Sequence, residues 1–211
     1  MSLTINHLTV DIEKTPILQE VSLSVADGEL LSLLGPSGCG KSTLLRQMKK
    51  NMMPYGELKG EILYDGTSIK ELEERKSVSE IGYVQQNPDN QIVTDKVWHE
   101  LVFGLESLGI NSAEIRSKAA EMASFFGIQN WFYENVANLS GGQKQILNLA
   151  SVMIMNPTLL LLDEPSSQLD PIAAHDFFTM LERINTELGV TIILSEHNLS
   201  EVFPLSDKVV H

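Results

Sequence analysis

One cysteine, Cys39, is all the thiol that this sequence of 211 residues contains, which excludes an internal disulfide and a cysteine-ligated zinc site. Long apolar runs are missing as well, and none approaches the ~18 residues that a membrane-spanning helix needs. No basic segment followed by an apolar one stands at the N-terminus, so the expectation is no secretory leader and a cytoplasmic address. Positive charge is scarce: 15 basic residues face 28 acidic ones, for a formal net charge of -13. That balance argues against nonspecific attraction to nucleic acid or anionic lipid, while leaving room for a protein partner in a membrane. Internal repeats and low-complexity stretches are absent. What is present, 43% hydrophobic residues, suffices to bury a substantial core as one domain with lobes.

The chain is organised around Gly35-Pro36-Ser37-Gly38-Cys39-Gly40-Lys41-Ser42, which reads G-x-x-x-x-G-K-[ST]. An apolar run, Glu29 to Leu34, precedes it as a buried strand, and Ser42 to Met48 follows as the first turns of a helix. Strand, glycine loop and helix in that order are the context of a phosphate-binding P-loop. The glycines let backbone N–H groups turn inward around a phosphate, and the helix N-terminus adds its positive end. Lys41 would reach the β- and γ-phosphates, and the Ser42 hydroxyl would coordinate Mg²⁺.

Residues 3–10 and 17–25 alternate as strands, with Thr15-Pro16 expected as the turn between them. Ala26-Asp27-Gly28 is a second turn and Met53-Pro54-Tyr55-Gly56 a break. Gly60 to Gly66 reads as a strand ending in an Asp-Gly turn, and Ile81 to Gln85 as a short strand. From Thr94 to Gly109 apolar residues recur at helical spacing (Val97, Leu101, Phe103, Leu105, Leu108). Ser112 is expected to begin the next helix, with Ser-x-Glu capping chemistry, and Gly127 to close it. Phe103, Phe125, Phe126 and Trp131 are expected to fill the core of that helical region. Thr158 to Asp163 and Val190 to Ser195 read as strands buried on both faces, with a helix near 172–188 between them. Lys208 to His211 reads as a strand just begun, so no complete domain is expected to end there.

Two further stretches carry chemistry. Leu162-Asp163-Glu164-Pro165 ends a buried strand in adjacent carboxylates that point to opposite faces. One of the two can hold the Mg²⁺ bridging the β- and γ-phosphates, and the other can act as general base on the attacking water. Leu139-Ser140-Gly141-Gly142-Gln143 opens a helix running from about Gly142 to Met155, a second helix N-terminus with close backbone access. By itself this is equally a well-capped helix with Ser140 as N-cap.

The glycine loop, the LSGGQ stretch, the LLLLDEP segment and His197 after the next strand resemble, in order and spacing, the ATP-binding cassette superfamily over essentially the whole chain. Tyr83 to Gln91, Ser166 to Pro171 and Ser195-Glu196-His197-Asn198-Leu199 are similar to energy-coupling factor transporter ATPases, particularly tandem-cassette members, which import vitamins and metal ions. The resemblance implies an α/β fold: a P-loop NTPase (RecA-like) core, an antiparallel β subdomain and an α-helical signature subdomain. It implies a single nucleotide-binding domain over 1–211, truncated at the C-terminus. The β-rich lobe and P-loop core would span 1–87, the helical lobe about 88–150, and the rest of the core 151–211.

The same resemblance implies the site. ATP and Mg²⁺ would be held by Gly35 to Lys41, Ser42 and Thr43, with Ser42, Asp163 and Gln86 toward the metal. Glu164, His197 and Gln86 would be catalytic, His197 holding the γ-phosphate and water, Gln86 coupling the core to the helical lobe. Gln85 stands where the pattern usually has an aromatic residue. Ser140, Gly141, Gly142 and Gln143 would contact the γ-phosphate of ATP on a facing cassette, and Asp170 lies in the stretch that crosses the dimer interface. Ile12 falls where an aromatic residue usually stacks on adenine, with His7 near but out of register. The implied partners are a second cassette (homodimer, heterodimer or tandem in cis), a transmembrane coupling component and a substrate-binding membrane component. No nucleic acid is expected, and the implied address is peripheral, on the inner face of the cell membrane. The rival reading is a soluble cassette ATPase acting on the ribosome or DNA; a regulatory module without turnover is disfavoured by the presence of Glu164 and His197.

Overall fold

Strand residues that alternate and strand residues that do not sort this chain into two sheets. In a computed structural model, which describes residues 3–197 and 199–211, β1 (Leu3–Ile12) and β2 (Thr15–Val25) pair antiparallel. Leu3, Ile5, Leu8 and Val10 of β1 are buried while the intervening residues are more open, as expected for a sheet with one wet face. The turn between them is made by Glu13 and Lys14, with φ of 50° and 65°, not by Thr15-Pro16. Two consecutive left-handed residues match the right-handed twist of the flanking strands. Pro16 belongs to β2, an edge strand, where its missing N–H is tolerated.

β3 (Leu30–Leu33) leads through the glycine loop to α1 (Lys41–Gln47). β4 (Glu57–Tyr64) and β5 (Thr67–Ser68) complete a four-stranded sheet in the order β2-β1-β4-β5. β4 starts three residues before the expected Gly60, because Glu57 pairs with Asp11. The sequence reading missed α2 (Glu74–Glu80), whose charged, apolar-poor turn offers no periodicity.

The second sheet is parallel: β6 (Ile81–Val84), β7 (Leu159–Asp163), β8 (Thr191–Ser195), β3 and β9 (Lys208–Val210), in the order β6-β7-β8-β3-β9. Its central strands are buried throughout, which explains their unbroken apolar runs. Leu160 and Leu162 face one apolar cluster, shared with the helices; Leu159 and Leu161 face the other, shared with α1 and the antiparallel sheet. Truncating any of these leucines to alanine would cost about 2–5 kcal/mol. Parallel order also brings the carboxyl ends of β3, β7 and β8 to one edge, the edge where ligands of open α/β sheets bind.

The helices are α3 (Val97–Ser107), α4 (Ser112–Phe126), α5 (Gly141–Met153), α6 (Pro171–Leu188) and α7 (Leu199–Val202). α3 begins later than Thr94, and its buried face is Val97, Leu101, Val102 and Leu105. Phe103 is not in the core: it is 44% exposed, because position 103 falls off that stripe. Phe126 is fully enclosed, whereas Phe125 and Trp131 are half-buried against the cluster. No helix among the described residues is long and apolar enough to cross a membrane.

α4 corrects a second expectation. Its cap is Asn111, whose side-chain oxygen accepts from Glu114 N at 3.0 Å, and Ser112 is the first helical residue. Gly127 closes the helix in the left-handed region, as expected, with φ of 68°. Asn111→Ala should therefore lower stability by about 1 kcal/mol in denaturant unfolding, and Ser112→Ala by much less. Equal losses would return the cap to Ser112.

Candidate nucleotide site

The loop from Gly35 to Gly40 lies between β3 and α1 with Pro36, Ser37, Gly38 and Cys39 exposed, and its three glycines all have positive φ. At Gly40 (φ 103°) a Cβ would stand 2.8 Å from Leu18 Cδ2 and 3.1 Å from Ile17 O. The antiparallel sheet is thus pressed against the loop so closely that only glycine fits. Lys41, Ser42 and Thr43 form the first turn of α1. The buried Lys41 ammonium donates to Gly35 O at 2.8 Å and Pro36 O at 3.2 Å, so it lies folded back along the loop.

Asp163 ends β7 and is 5% exposed. A carboxylate buried that deeply needs donors, and three hydroxyls supply them. Ser42 Oγ donates to Oδ1 at 2.7 Å, Ser195 Oγ to Oδ1 at 3.0 Å, and the Tyr83 phenol to Oδ2 at 3.1 Å. Burial, and next the negative charge of Asp163, push the Tyr83 hydroxyl well above the usual phenol range, so it remains a protonated donor.

Glu164 turns the other way. Its backbone is left-handed (φ 45°), and its N–H donates to Ser195 O and Oγ, both at 3.1 Å. The side chain is met by three others: His197 Nε2 lies 2.7 Å from Oε1, Lys41 Nζ lies 3.4 Å from Oε1, and the Gln86 amide donates to Oε2 at 3.2 Å. Ser37 Oγ is 3.4 Å from His197 Nε2. The expected opposition of the two carboxylates is therefore present, and six expected residues from four separate segments converge: Lys41, Ser42, Gln86, Asp163, Glu164 and His197.

Other expected residues are engaged elsewhere. Ser140 caps α5 in a reciprocal box, accepting from Gln143 N while Gln143 Oε1 accepts from Ser140 N. A Cβ on Gly142 would stand 2.9 Å from the Cβ of Ala173, so that glycine allows α5 to approach α6. Asp170 caps α6, accepting from the N–H groups of Ile172 and Ala173. Ile12 packs partly buried at the hairpin tip. Asn198 lies outside the described residues.

Five residues around the site, Tyr83, Ser195, Glu196, Gln145 and Lys144, were assigned no role from the sequence. Tyr83 and Ser195 are polar groups at strand positions that otherwise read as apolar, which was the available signal. Buried Glu196 accepts from Ser166 N, Ser166 Oγ and His197 N, joining the segment after β7 to the one after β8. Gln145 of α5 donates to Gln85 O and Pro165 O, and Lys144 pairs with Asp89 at 2.6 Å. These contacts bind α5 to the glutamine-bearing segment.

The arrangement suits a nucleotide with a divalent cation: a glycine cradle with a lysine, then hydroxyl, carboxylate and amide oxygens, the hard donors that Mg²⁺ takes. Residues 18–167 match the family model described as ABC transporter. The chain is 52% identical over 198 residues to a protein of Bacillus cereus described as an ABC transporter ATP-binding protein, covering 94% of this chain and 36% of the relative. A Pyrococcus abyssi protein of the same description is 37% identical over 196 residues, covering 92% of this chain and 70% of that one. The chain thus spans about a third of the length of the first of these relatives. Among solved structures, cbiO1 from Clostridium perfringens, part of the ABC transporter complex cbiONQ, is similar with a TM-score of 0.89 and 30% identity, covering 98% of this chain and 82% of that one. The ATP-binding cassette MJ0796, a dimer bound to ADP and Pi, shares the fold with a TM-score of 0.82 at 22% identity.

Cys39 tests the loop directly. It is exposed, and phosphates seated in the cradle would cover it. A maleimide should label Cys39 readily in the free protein and markedly more slowly with Mg-ATP. Equal labelling rates would mean that the nucleotide does not sit in this loop.

Proposed function

This chain belongs to the ABC transporter family of ATPases, and on that premise we propose that it is the ATP-hydrolysing cassette of an importer, powering uptake of a vitamin or metal ion through separate membrane proteins. The observation that carries the reading is the convergence of Lys41, His197 and Gln86 on Glu164, beside an Asp163 already tied to Ser42. Similarity to a member of the cbiONQ complex supports the importer branch. Relatives about three times as long support a cassette, 1–211, that works within a longer, tandem-cassette chain.

In this proposal Gly35 to Thr43 bind the triphosphate, and Lys41 leaves the loop carbonyls for the γ-phosphate. Ser42, Asp163 and Gln86 hold Mg²⁺, which when bound offsets the charge on the β- and γ-phosphates. Glu164 takes the proton of the attacking water, and His197, 2.7 Å away, fixes the carboxylate and the water. Ser140 to Gln143 and Asp170 serve the nucleotide of a facing cassette, which explains why they are engaged away from this chain's own cluster. Ile12 offers the base apolar contact without a π face, so discrimination between purines is weak.

The membrane partner is proposed to seat in the cleft between β6, α2, α3 and α5, lined by Lys49, Val78, Gln85, Phe103, Val152 and Met155. Exposed Phe103 and Val78 give that cleft the apolar surface that an inserted helix needs. Burial there pulls the Lys49 ammonium down to about 8. Motion of a seated helix would reach the site through Gln85 and Gln86. The protein would accordingly be peripheral on the inner face of the membrane.

Glu164→Gln keeps the shape and hydrogen bonds but cannot accept the proton. It should bind ATP, lose hydrolysis by about 10²–10⁴-fold, and accumulate a nucleotide-dependent dimer in size-exclusion chromatography. Hydrolysis at the unmodified rate would move the base elsewhere.

A further inference from the structure

We infer that Tyr83 is the positioning residue for the metal-holding carboxylate, its phenol fixing the orientation of Asp163 and thereby setting how tightly the site holds Mg²⁺. The inference rests on the ATP–Mg²⁺ site proposed above. Oδ1 of Asp163 is shared by two serines, while Oδ2 is met by Tyr83 at 3.1 Å. Ser42 is itself assigned to the metal, so its hydroxyl must serve two partners. Tyr83 owes nothing to the metal and can hold the carboxylate in the same rotamer whether or not the cation is present.

Its own placement is fixed. Tyr83 lies in β6, paired in parallel register with Leu161 of β7, two residues before Asp163. Tyr83 is 6% exposed, and the positive charge of Arg46, one turn after Ser42 on α1, acts on its hydroxyl. A cationic guanidinium acting on the phenol polarises the O–H and strengthens its donation to the carboxylate. A carboxylate stripped of this donor keeps its burial but can turn about its terminal torsion, and its anionic form is less well supported. Partners of metal ligands set affinity in this way, typically by 10–100-fold.

A tyrosine can also be merely a core aromatic, and the chain supplies its own control. Tyr64 is equally buried, and its hydroxyl bonds Glu80 and Thr158, away from the metal-holding groups. The experiment titrates Mg²⁺ against the binding of a non-hydrolysable ATP analogue, with an EDTA arm. Tyr83→Phe should need about tenfold more free Mg²⁺ for half of the metal-dependent gain in affinity, with analogue affinity in EDTA unchanged. Arg46→Ala, which leaves the ring in place, should shift the Mg²⁺ midpoint the same way by less. Tyr64→Phe should keep the unmodified midpoint. A Tyr83→Phe midpoint equal to that of the unmodified protein, or an equal shift in Tyr64→Phe, overturns the inference. Analogue affinity in the unmodified protein that ignores Mg²⁺ overturns the site reading beneath it.

Discussion

A carboxylate buried at the end of a central strand must be given donors, and the fold is arranged so that Asp163 receives them. Its partners come from α1 (Ser42), β6 (Tyr83) and β8 (Ser195). Because β6 and β8 flank β7 and α1 follows β3, satisfying this one side chain aligns the strand ends and the helix that rim the glycine loop. Leaving such a carboxylate unpartnered would cost several kcal/mol. The site is thus part of what holds the sheet in register, and a divalent cation would enter an oxygen cluster that folding has already assembled.

The next residue uses a backbone device. Glu164 stands at φ 45°, a conformation that costs a non-glycine residue about 1 kcal/mol or more. The turn aims its side chain at Lys41, His197 and Gln86, and its N–H is retained by Ser195. Ser195 therefore serves both carboxylates, donating to Asp163 and accepting from Glu164. Glu196 then ties the following segment to Ser166, so that β7 and β8 deliver their terminal residues as one unit. On the other side, Gln145 and Lys144 anchor the glutamine-bearing segment to α5, directly after the Ser140 cap. The phosphate cluster and the helix that would serve a facing cassette are therefore two contacts apart.

Much of this was legible because local chemistry dictates it. The glycine loop, the unbroken apolar strands and the adjacent carboxylates each encode their own local placement, so the strands buried on both faces and the residues at their ends could be read from the sequence. Expectations failed where two neighbours competed for one role. Glu13-Lys14 forms the hairpin turn although Thr15-Pro16 has the stronger turn composition, because edge-strand pairing tolerates Pro16. Asn111 caps α4 in place of Ser112, one residue from the expectation, since both side chains can accept the same N–H. Phe103 faces outward because its helix buries a narrower stripe than apolarity alone suggests. The roles of Tyr83, Ser195 and Glu196 were missed for another reason: their partners Asp163 and Ser166 are distant in sequence, and only strand order brings them together.

In the proposed function one ATP is held per chain by the loop that Lys41 closes. Lys41 contributes no apolar packing to either cluster, so Lys41→Ala should leave the fold intact while removing the cation that the phosphates need. Calorimetric titration of Mg-ATP into both proteins, each checked by circular dichroism, tests this most directly. The unmodified chain should bind one nucleotide, and Lys41→Ala should bind it at least about tenfold more weakly, a difference of about 1.4 kcal/mol or more. Indistinguishable binding by a folded Lys41→Ala protein would contradict it.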